Sequence, residues 1–484
     1  MRERVEVVVA GIVAVIAAAL HFIFFRSAGA FWRDEAISIR VATSPSVSAM
    51  LHRFYFDAAL LLSSSALRLW IDLTGVSQPA IRLFGLVAGV LALIAVSVAV
   101  RLLGGRIPVI ALAILGLNGA VIRYGDSIRS YGVGMVTGLL AFGAIGYASH
   151  TRSTRGWLFA AVAAAVSVQA TYQNSILVFA CCIAAACVQP RREVWKPLAA
   201  GACAAVTLLP YAGMMSTRLN DIFRSANVTL PSYASAFLSS LGVVSVVVFA
   251  AALLWARRVT YATLAAVLFI AVHFVYLRWV GYTPQPWYFV LPIGVIAVAA
   301  DVSLAIPAFG RAAVAVLIAA LSIPSAAAGI TQRQTNVDDV AAVLNRDARR
   351  GDFIVVYPWY IDTSFSMYYS GAAEWQSLPP IADHSVQRLD LAARAAMSPG
   401  VEAPAIERAA TALRTGHHVW LVGFPLFKER PRDPRRPTIP EAADTRWSAA
   451  LAGVLRHSRA HTPVVIGSDD TIVYERVNVV RFDP

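Results

Sequence analysis

Apolar stretches long enough to cross the hydrocarbon core of a bilayer as helices, up to about 20 residues each, recur along this chain. They lie near residues 5 to 25, 80 to 100, 107 to 122, 131 to 148, 157 to 172, 174 to 189, 197 to 213, 237 to 255, 262 to 278, 287 to 304 and 312 to 329. A backbone in hydrocarbon must satisfy its hydrogen bonds within the protein, which leaves helices or closed barrels, and runs of this length select helices. The expected fold is therefore an α-helical polytopic membrane protein with about eleven transmembrane helices. Composition agrees: 14% of the 484 residues are charged, against about 25% in soluble domains.

Every second gap between these stretches holds a short basic cluster: Arg2 with Arg4, Arg101 with Arg106, Arg152 with Arg155, Arg191 with Arg192 and Lys196, Arg257 with Arg258, and Arg311. By the positive-inside rule those gaps are cytoplasmic. The excess of Lys and Arg over Asp and Glu, 41 against 28, has its source there, and nucleic acid is not an expected partner. The first stretch lacks a small-residue cleavage site and runs into Phe31-Trp32, so a retained helix with a cytoplasmic amino terminus is expected. An odd number of spans then puts the carboxy-terminal residues on the outer, periplasmic side. The Arg-rich, Lys-poor usage, without an organelle retention signal, points to a bacterial plasma (inner) membrane. All four cysteines fall in apolar stretches without metal-ligand spacing and read as packing residues.

Two gaps are long. Between Arg26 and Pro79, apolar runs such as Ala58 to Leu62 alternate with Arg53, Asp57, Arg68 and Asp72. Those runs are too short to span, and helices lying in the membrane interface fit them. After residue 330 the chain turns polar, with strand-like runs at Phe353 to Tyr357, Val419 to Gly423 and Val464 to Ile466. A helix is expected at Asp338 to Arg350, and a Pro/Arg-rich loop at Arg430 to Pro440. Two domains follow: transmembrane residues 1–330 and an external soluble α/β domain, 331–484. No Gly-rich phosphate loop and no internal repeat is visible.

The sharpest local signal is Phe31-Trp32-Arg33-Asp34-Glu35, with Ser38 and Arg40 following, just beyond the first span. Ionisable groups at that depth are costly unless they face water or each other. Adjacent carboxylates can take the proton of a hydroxyl acceptor, and framing arginines can hold an anion; the bland alternative is an interfacial cluster that ends the helix. A second constellation, Arg123-Tyr124-Gly125-Asp126-Ser127-Ile128-Arg129-Ser130-Tyr131, packs two arginines, an aspartate and two tyrosines into one short external connection. Arginine forks match phosphate oxygens, while snorkelling into an aromatic belt is the bland alternative and suits Arg123 better than Arg129.

Weaker signals follow. Thr283-Pro284-Gln285-Pro286-Trp287-Tyr288 enters a late span, placing Gln285 and Tyr288 at a cavity mouth or in an aromatic belt. Thr217 to Ser235, with Arg218, Asp221 and Arg224, reads as a surface helix or a loop. His273 reads as a core histidine, and Asn227-Val228-Thr229 as a chance sequon match. Strand alternation would send His417 and His418 to opposite faces.

Together these features resemble the membrane glycosyltransferases of the C superfamily. The likeness is to the bacterial branch similar to dolichyl-phosphate-mannose protein mannosyltransferases, lipid A aminoarabinose transferases and lipopolysaccharide-core galacturonosyltransferases, and it covers most of the chain. The family's Asp-Glu pair after the first helix is matched by Asp34-Glu35, its next aspartate by Asp57, and the arginine opening its second helix by Arg82. Its Tyr-x-x-x-x-Arg-x-Tyr element is matched by Tyr124, Arg129 and Tyr131. Its Arg-Tyr-x-x-x-x-Pro element is similar to Trp287-Tyr288 through Pro292, with tryptophan for arginine. The usual His-Pro-Pro after the aspartate is Ala58-Ala59-Leu60 here, and the usual Glu of the tyrosine element is Ser127, with Asp126 beside it.

The resemblance implies sugar transfer from a polyprenyl-phosphate-linked donor to a lipid, glycan or protein acceptor on the outer face. In that reading Asp34 is the base and Glu35 its support. Arg129, Arg33, Arg40 and Arg82, with Tyr124 and Tyr131, hold the donor phosphate and sugar, and Asp57 or Asp126 offers a second acidic or acceptor site. No cofactor is required, because arginines supply positive charge; an acidic pair is able to bind a divalent metal, and whether one is used stays open. The alternatives are a polytopic transporter and a non-catalytic partner in envelope assembly.

Overall fold

The structure, a computed structural model, describes residues 2–57, 59–213, 229–255, 260–423, 441–465 and 472–484. Most of the Thr217 to Ser235 segment, the Arg257-Arg258 pair and the Arg430 to Pro440 loop lie outside the described residues.

The first helices in chain order are α1 (Arg2–Ser27), α2 (Arg33–Ala42), α3 (Val47–Arg53), α4 (Leu61–Thr74) and α5 (Gln78–Leu102). Next come α6 (Val109–Gly116), α7 (Gly119–Gly125), α8 (Tyr131–Thr151), α9 (Thr154–Ala170), α10 (Asn174–Val188) and α11 (Trp195–Val206). They are followed by α12 (Leu230–Leu241), α13 (Val243–Trp255), α14 (Tyr261–Val280), α15 (Val290–Ser303) and α16 (Ala308–Ile330). The chain forms two compact units. Residues 1–27 and 58–331 make a helical unit, and residues 28–57 and 332–484 make a sheet unit. The sequence segmentation at 330/331 thus leaves with the helices a loop, residues 28–57, that packs with the carboxy-terminal residues.

Among the described residues six helices are long and apolar enough to cross a membrane, and seven if α12 and α13 count as one span bent by 98°. Gly242, at φ +81°, makes that bend in a left-handed conformation that side chains resist. The expected number was about eleven, and the difference has a local cause. The stretch 107 to 122 is broken at Leu117-Asn118, where the Asn118 side chain accepts a hydrogen bond from the Val121 amide and starts a new helix. Helices α9, α10 and α11 are regular but only 17, 15 and 12 residues long.

Close helix packing rests on small residues, as expected where burial of apolar surface gives no drive within lipid. Gly143 of α8 meets the backbone of Ala99 on α5: a Cβ there would lie 2.9 Å from the Ala99 Cα. One end of the helical unit is tied by a buried charge network. Arg311 on α16 reaches Glu6 of α1 at 2.5 Å and Asp301 of α15 at 2.7 Å. The other Asp301 oxygen accepts the Ile110 and Ala111 amides, both at 2.9 Å, which lie in the first turn of α6 and have no acceptor within that helix.

In the sheet unit the expected strand-like runs Phe353–Tyr357 and Val419–Gly423 form strands with those bounds, here β2 and β4. With β1 (Arg333–Thr335), β3 (Glu374–Ser377), β5 (Ala460–Val465), β6 (Ile472–Glu475) and β7 (Asn478–Asp483) they build a five-stranded sheet of order β3-β2-β4-β7-β5 and a separate β1-β6 pair. Strands β3, β2 and β4 run parallel, and β7 is antiparallel to both neighbours. Both central strands are buried along their whole length, which requires cover on both faces. Alternation supplies it. Phe353, Val355 and Leu421 pack with Ala409, Trp447 and Leu451 on one side, and Ile354, Val356 and Val422 with Val340, Leu344 and Phe365 on the other.

Candidate active site

The candidate residues fall into two groups, one in each unit. In the sheet unit, Trp32 caps α2 and puts Asp34 and Glu35 in its first turn, where carboxylates complement the positive end of the helix dipole. The two acids differ in access. Glu35 is fully buried, whereas the Asp34 side chain is 17% exposed. Asp34 accepts from Arg33 Nε at 3.0 Å, and the Arg33 amide donates to Glu475 Oε1 at 3.0 Å. The Arg33 guanidinium lies 5.1 Å from the Tyr360 ring, and Trp32 stacks on Tyr474 with centroids 4.4 Å apart. Burial works against the Arg33 charge, but Asp34 and Glu475 outweigh it and raise its pKa. Burial pushes the Glu475 carboxyl up to about 7, although Arg33 favours its charged form.

Arg40 lies two turns further along the same face of α2. Its Nη2 donates to Ser366 Oγ at 2.9 Å, and its carbonyl accepts from Arg53 at 2.8 Å. Asp57 is buried and accepts from Ser38 Oγ at 2.9 Å, which joins the end of the loop to α2. Sequence reasoning did not single out the neighbouring dyad of Asp362 and His384, which follow the carboxyl ends of β2 and β3. His384 Nδ1 lies 2.8 Å from Asp362 Oδ2, and the His384 ring packs on Trp375 at 4.3 Å. Burial raises the Asp362 pKa while His384 opposes the rise.

In the helical unit the connection from α7 to α8 brings Tyr124, Arg129 and Tyr131 together around a residue from far along the chain. The Trp287 ring is edge-on to Tyr124 at 5.6 Å and stacked near Tyr131 at 6.4 Å, and the Arg129 guanidinium lies 5.8 Å from the Tyr131 ring. Arg129 and Arg82 are both buried. Tyr288 stacks on Tyr282 at 5.9 Å, and Gln285 is buried at the start of the turn that carries Trp287. Arg123 donates to the Gly329 carbonyl.

Asp126 is committed to helix packing. It is 3% exposed, with His21 Nδ1 within 2.8 Å of both carboxylate oxygens. Gly85 and Gly89, one turn apart on α5, leave the room: a Cβ on Gly85 would lie 1.9 Å from the Asp126 carbonyl oxygen, and one on Gly89 would lie 1.9 Å from Oδ1. His21 is a residue the sequence reading passed over, although a histidine inside an apolar span is a signal in itself. His273 packs between Phe269 and Phe289, as a core residue does. Together with Tyr131, Gln173 and Trp287 it lines a cavity of about 20 Å³, enough for one water and too small for a sugar in this conformation. Among the described residues no group of three His, Cys, Asp or Glu converges as metal ligands.

No protein-family model matches the sequence, and no curated protein does. Solved structures do match. The chain is similar to ArnT from Cupriavidus metallidurans in the apo state at 12% identity and TM-score 0.61, covering 97% of this chain and 98% of that one. The same protein bound to undecaprenyl phosphate matches at 12% identity and TM-score 0.57, over 97% of each chain. The archaeal oligosaccharyltransferase AglB from Archaeoglobus fulgidus, in complex with an inhibitory peptide and a dolichol-phosphate, matches at 12% identity and TM-score 0.50, over 96% of this chain and 73% of that one. The likeness to these structures is one of fold, and to ArnT it runs over nearly the whole length of both chains.

Proposed function

We propose that this chain is an integral-membrane glycosyltransferase that moves a sugar from a polyprenyl-phosphate-linked donor to an acceptor on the outer face of a bacterial plasma membrane. The observation that carries the reading is a fold shared over nearly the whole chain with a protein whose structure holds undecaprenyl phosphate. The ordered match of Asp34-Glu35, Asp57, Arg82 and Tyr124-Arg129-Tyr131 to the family's elements supports it.

In this mechanism Asp34, the accessible member of the acidic pair, takes the proton from the acceptor hydroxyl. The acceptor oxygen bonds to the anomeric carbon while the bond from that carbon to the phosphate oxygen breaks, so configuration inverts and polyprenyl phosphate leaves. Negative charge grows on the departing phosphate. Arg129 and Arg82, both buried, are the groups that the family resemblance assigns to stabilise it, in surroundings that screen poorly. Glu35, fully buried, acts by holding the first turn of α2. Arg33 and Arg40 have partners within the sheet unit and are assigned to orient the acidic pair and its helix.

The test is transfer of labelled sugar from a panel of polyprenyl-phosphate sugars by purified protein in nanodiscs, with an envelope extract as acceptor source. Label moved from one donor by the wild type and lost in Asp34→Asn supports the assignment. Full transfer by Asp34→Asn would remove Asp34 as base, and failure of folded wild type with every donor would overturn the transferase reading.

A further inference from the structure

One cavity lies on the helical unit and touches none of the residues assigned to transfer. It is a groove of about 610 Å³ between α1, α5, α6 and α8, lined by Ala14 and Ala18, by Val90, Ile94 and Arg101, and by Tyr147. Its walls are almost wholly apolar. Arg101 brings the one charge, in the last turn of α5. Val90, Ile94 and Tyr147 are exposed, and small side chains at 14 and 18 make the depression.

We infer that this groove binds one acyl chain of an anionic phospholipid, with the lipid phosphate on Arg101. Three observations select that occupant. A guanidinium at the end of an apolar trough matches a phosphate oxygen pair at the end of a hydrocarbon chain, and its single positive charge, with no cationic headgroup to tolerate, favours a lipid of net negative charge. Tyr147 lines the same groove, and tyrosine's amphipathic ring suits the level of lipid headgroups. The third is length. Val90 to Arg101 spans about 16 Å of helix, half of a ~30 Å hydrocarbon core, which is the reach of a single-leaflet acyl chain and far short of an extended polyprenyl chain. By the arginine pattern that leaflet is the cytoplasmic one, opposite the face assigned to transfer.

The experiment is native mass spectrometry of the full chain in delipidating detergent, supplied in turn with phosphatidylglycerol and phosphatidylcholine of identical acyl chains. One arginine near a lipid surface contributes ~1 kcal/mol, so the wild type should retain about fivefold more phosphatidylglycerol. Arg101→Gln should equalise the two lipids. Ala18→Phe, which fills the groove from an exposed position, should lower retention of both. Equal retention by the wild type, a preference that survives Arg101→Gln, or unchanged retention by Ala18→Phe would each overturn the site. The readout does not depend on transfer activity, so this inference and the transferase reading fail separately.

Discussion

His21, inside the first long helix, places its ring Nδ1 2.8 Å from Oδ1 and 2.7 Å from Oδ2 of Asp126, 105 residues away. Both side chains are buried, and Gly85 and Gly89 provide the slot that receives the aspartate. The contact fixes the connection on which Tyr124, Arg129 and Tyr131 sit. An aspartate that reads in sequence as a second acidic site therefore anchors the arginine and tyrosines beside it.

Removing one side of that pair leaves a buried polar group without its partner. Asp126→Leu is expected to destabilise the chain by about 3–5 kcal/mol. Gly89→Ala should destabilise in the same direction by forcing a Cβ against the Asp126 carboxylate. Thermal unfolding in detergent reads both, and unchanged midpoints would show that the pair does not hold the connection.

Arg311 joins Glu6 and Asp301 and also donates to the carbonyls of Asp301 and Ile107. A lysine cannot reproduce that planar fork. Arg311→Lys is expected to cost about 2 kcal/mol, well beyond an ordinary surface change, and Arg311→Met more, because it strands two buried carboxylates. Equal melting temperatures for wild type and both variants would argue against a structural role for the network.

Glu475 gives a pH prediction. Its folded pKa of about 7 lies above its ordinary value of 4.5, so the folded state binds more protons in that window. Stability from this group is fully present below about 4.5 and falls as pH rises through about 7. Glu475→Gln keeps a carbonyl to accept the Arg33 amide, and it should flatten the fall in melting temperature between those pH values. A slope identical to the wild type would show that Glu475 does not titrate there.

Arg129→Ala is expected to lower kcat about 100-fold with a smaller change in KM, because charge on the leaving phosphate develops in the transition state. Tyr124→Phe should keep most activity, since its ring contact with Trp287 survives. Steady-state kinetics with the donor found by label transfer would separate the two, and an Arg129→Ala effect confined to KM would reassign that arginine to ground-state binding.

Sequence and structure meet wherever local pattern decides conformation. Hydropathy placed the six long helices near their observed positions, and short continuous apolar runs marked Phe353 to Tyr357 and Val419 to Gly423 with their observed bounds. The helix expected at Asp338 to Arg350 forms at Val337–Asp347. Hydropathy did not reveal the break at Asn118, because a capping side chain outweighs the apolar content on either side. In the candidate site the motif residues were legible one by one. Their partners were not: Trp287 for Tyr124 and Tyr131, Glu475 for Arg33, Ser366 for Arg40.

Composition and periodicity over short windows already specify apolar helices and a polar sheet unit, because burying apolar surface and pairing backbone groups are short-range demands. Which charges meet is set by packing in three dimensions. Arg33 and Glu475 are 442 residues apart, and no short-range pattern encodes their encounter. A buried charge must find an opposite charge or a donor wherever the packed helices and strands put one, so the same arginine or aspartate becomes a catalytic group or an anchor according to its neighbours in space.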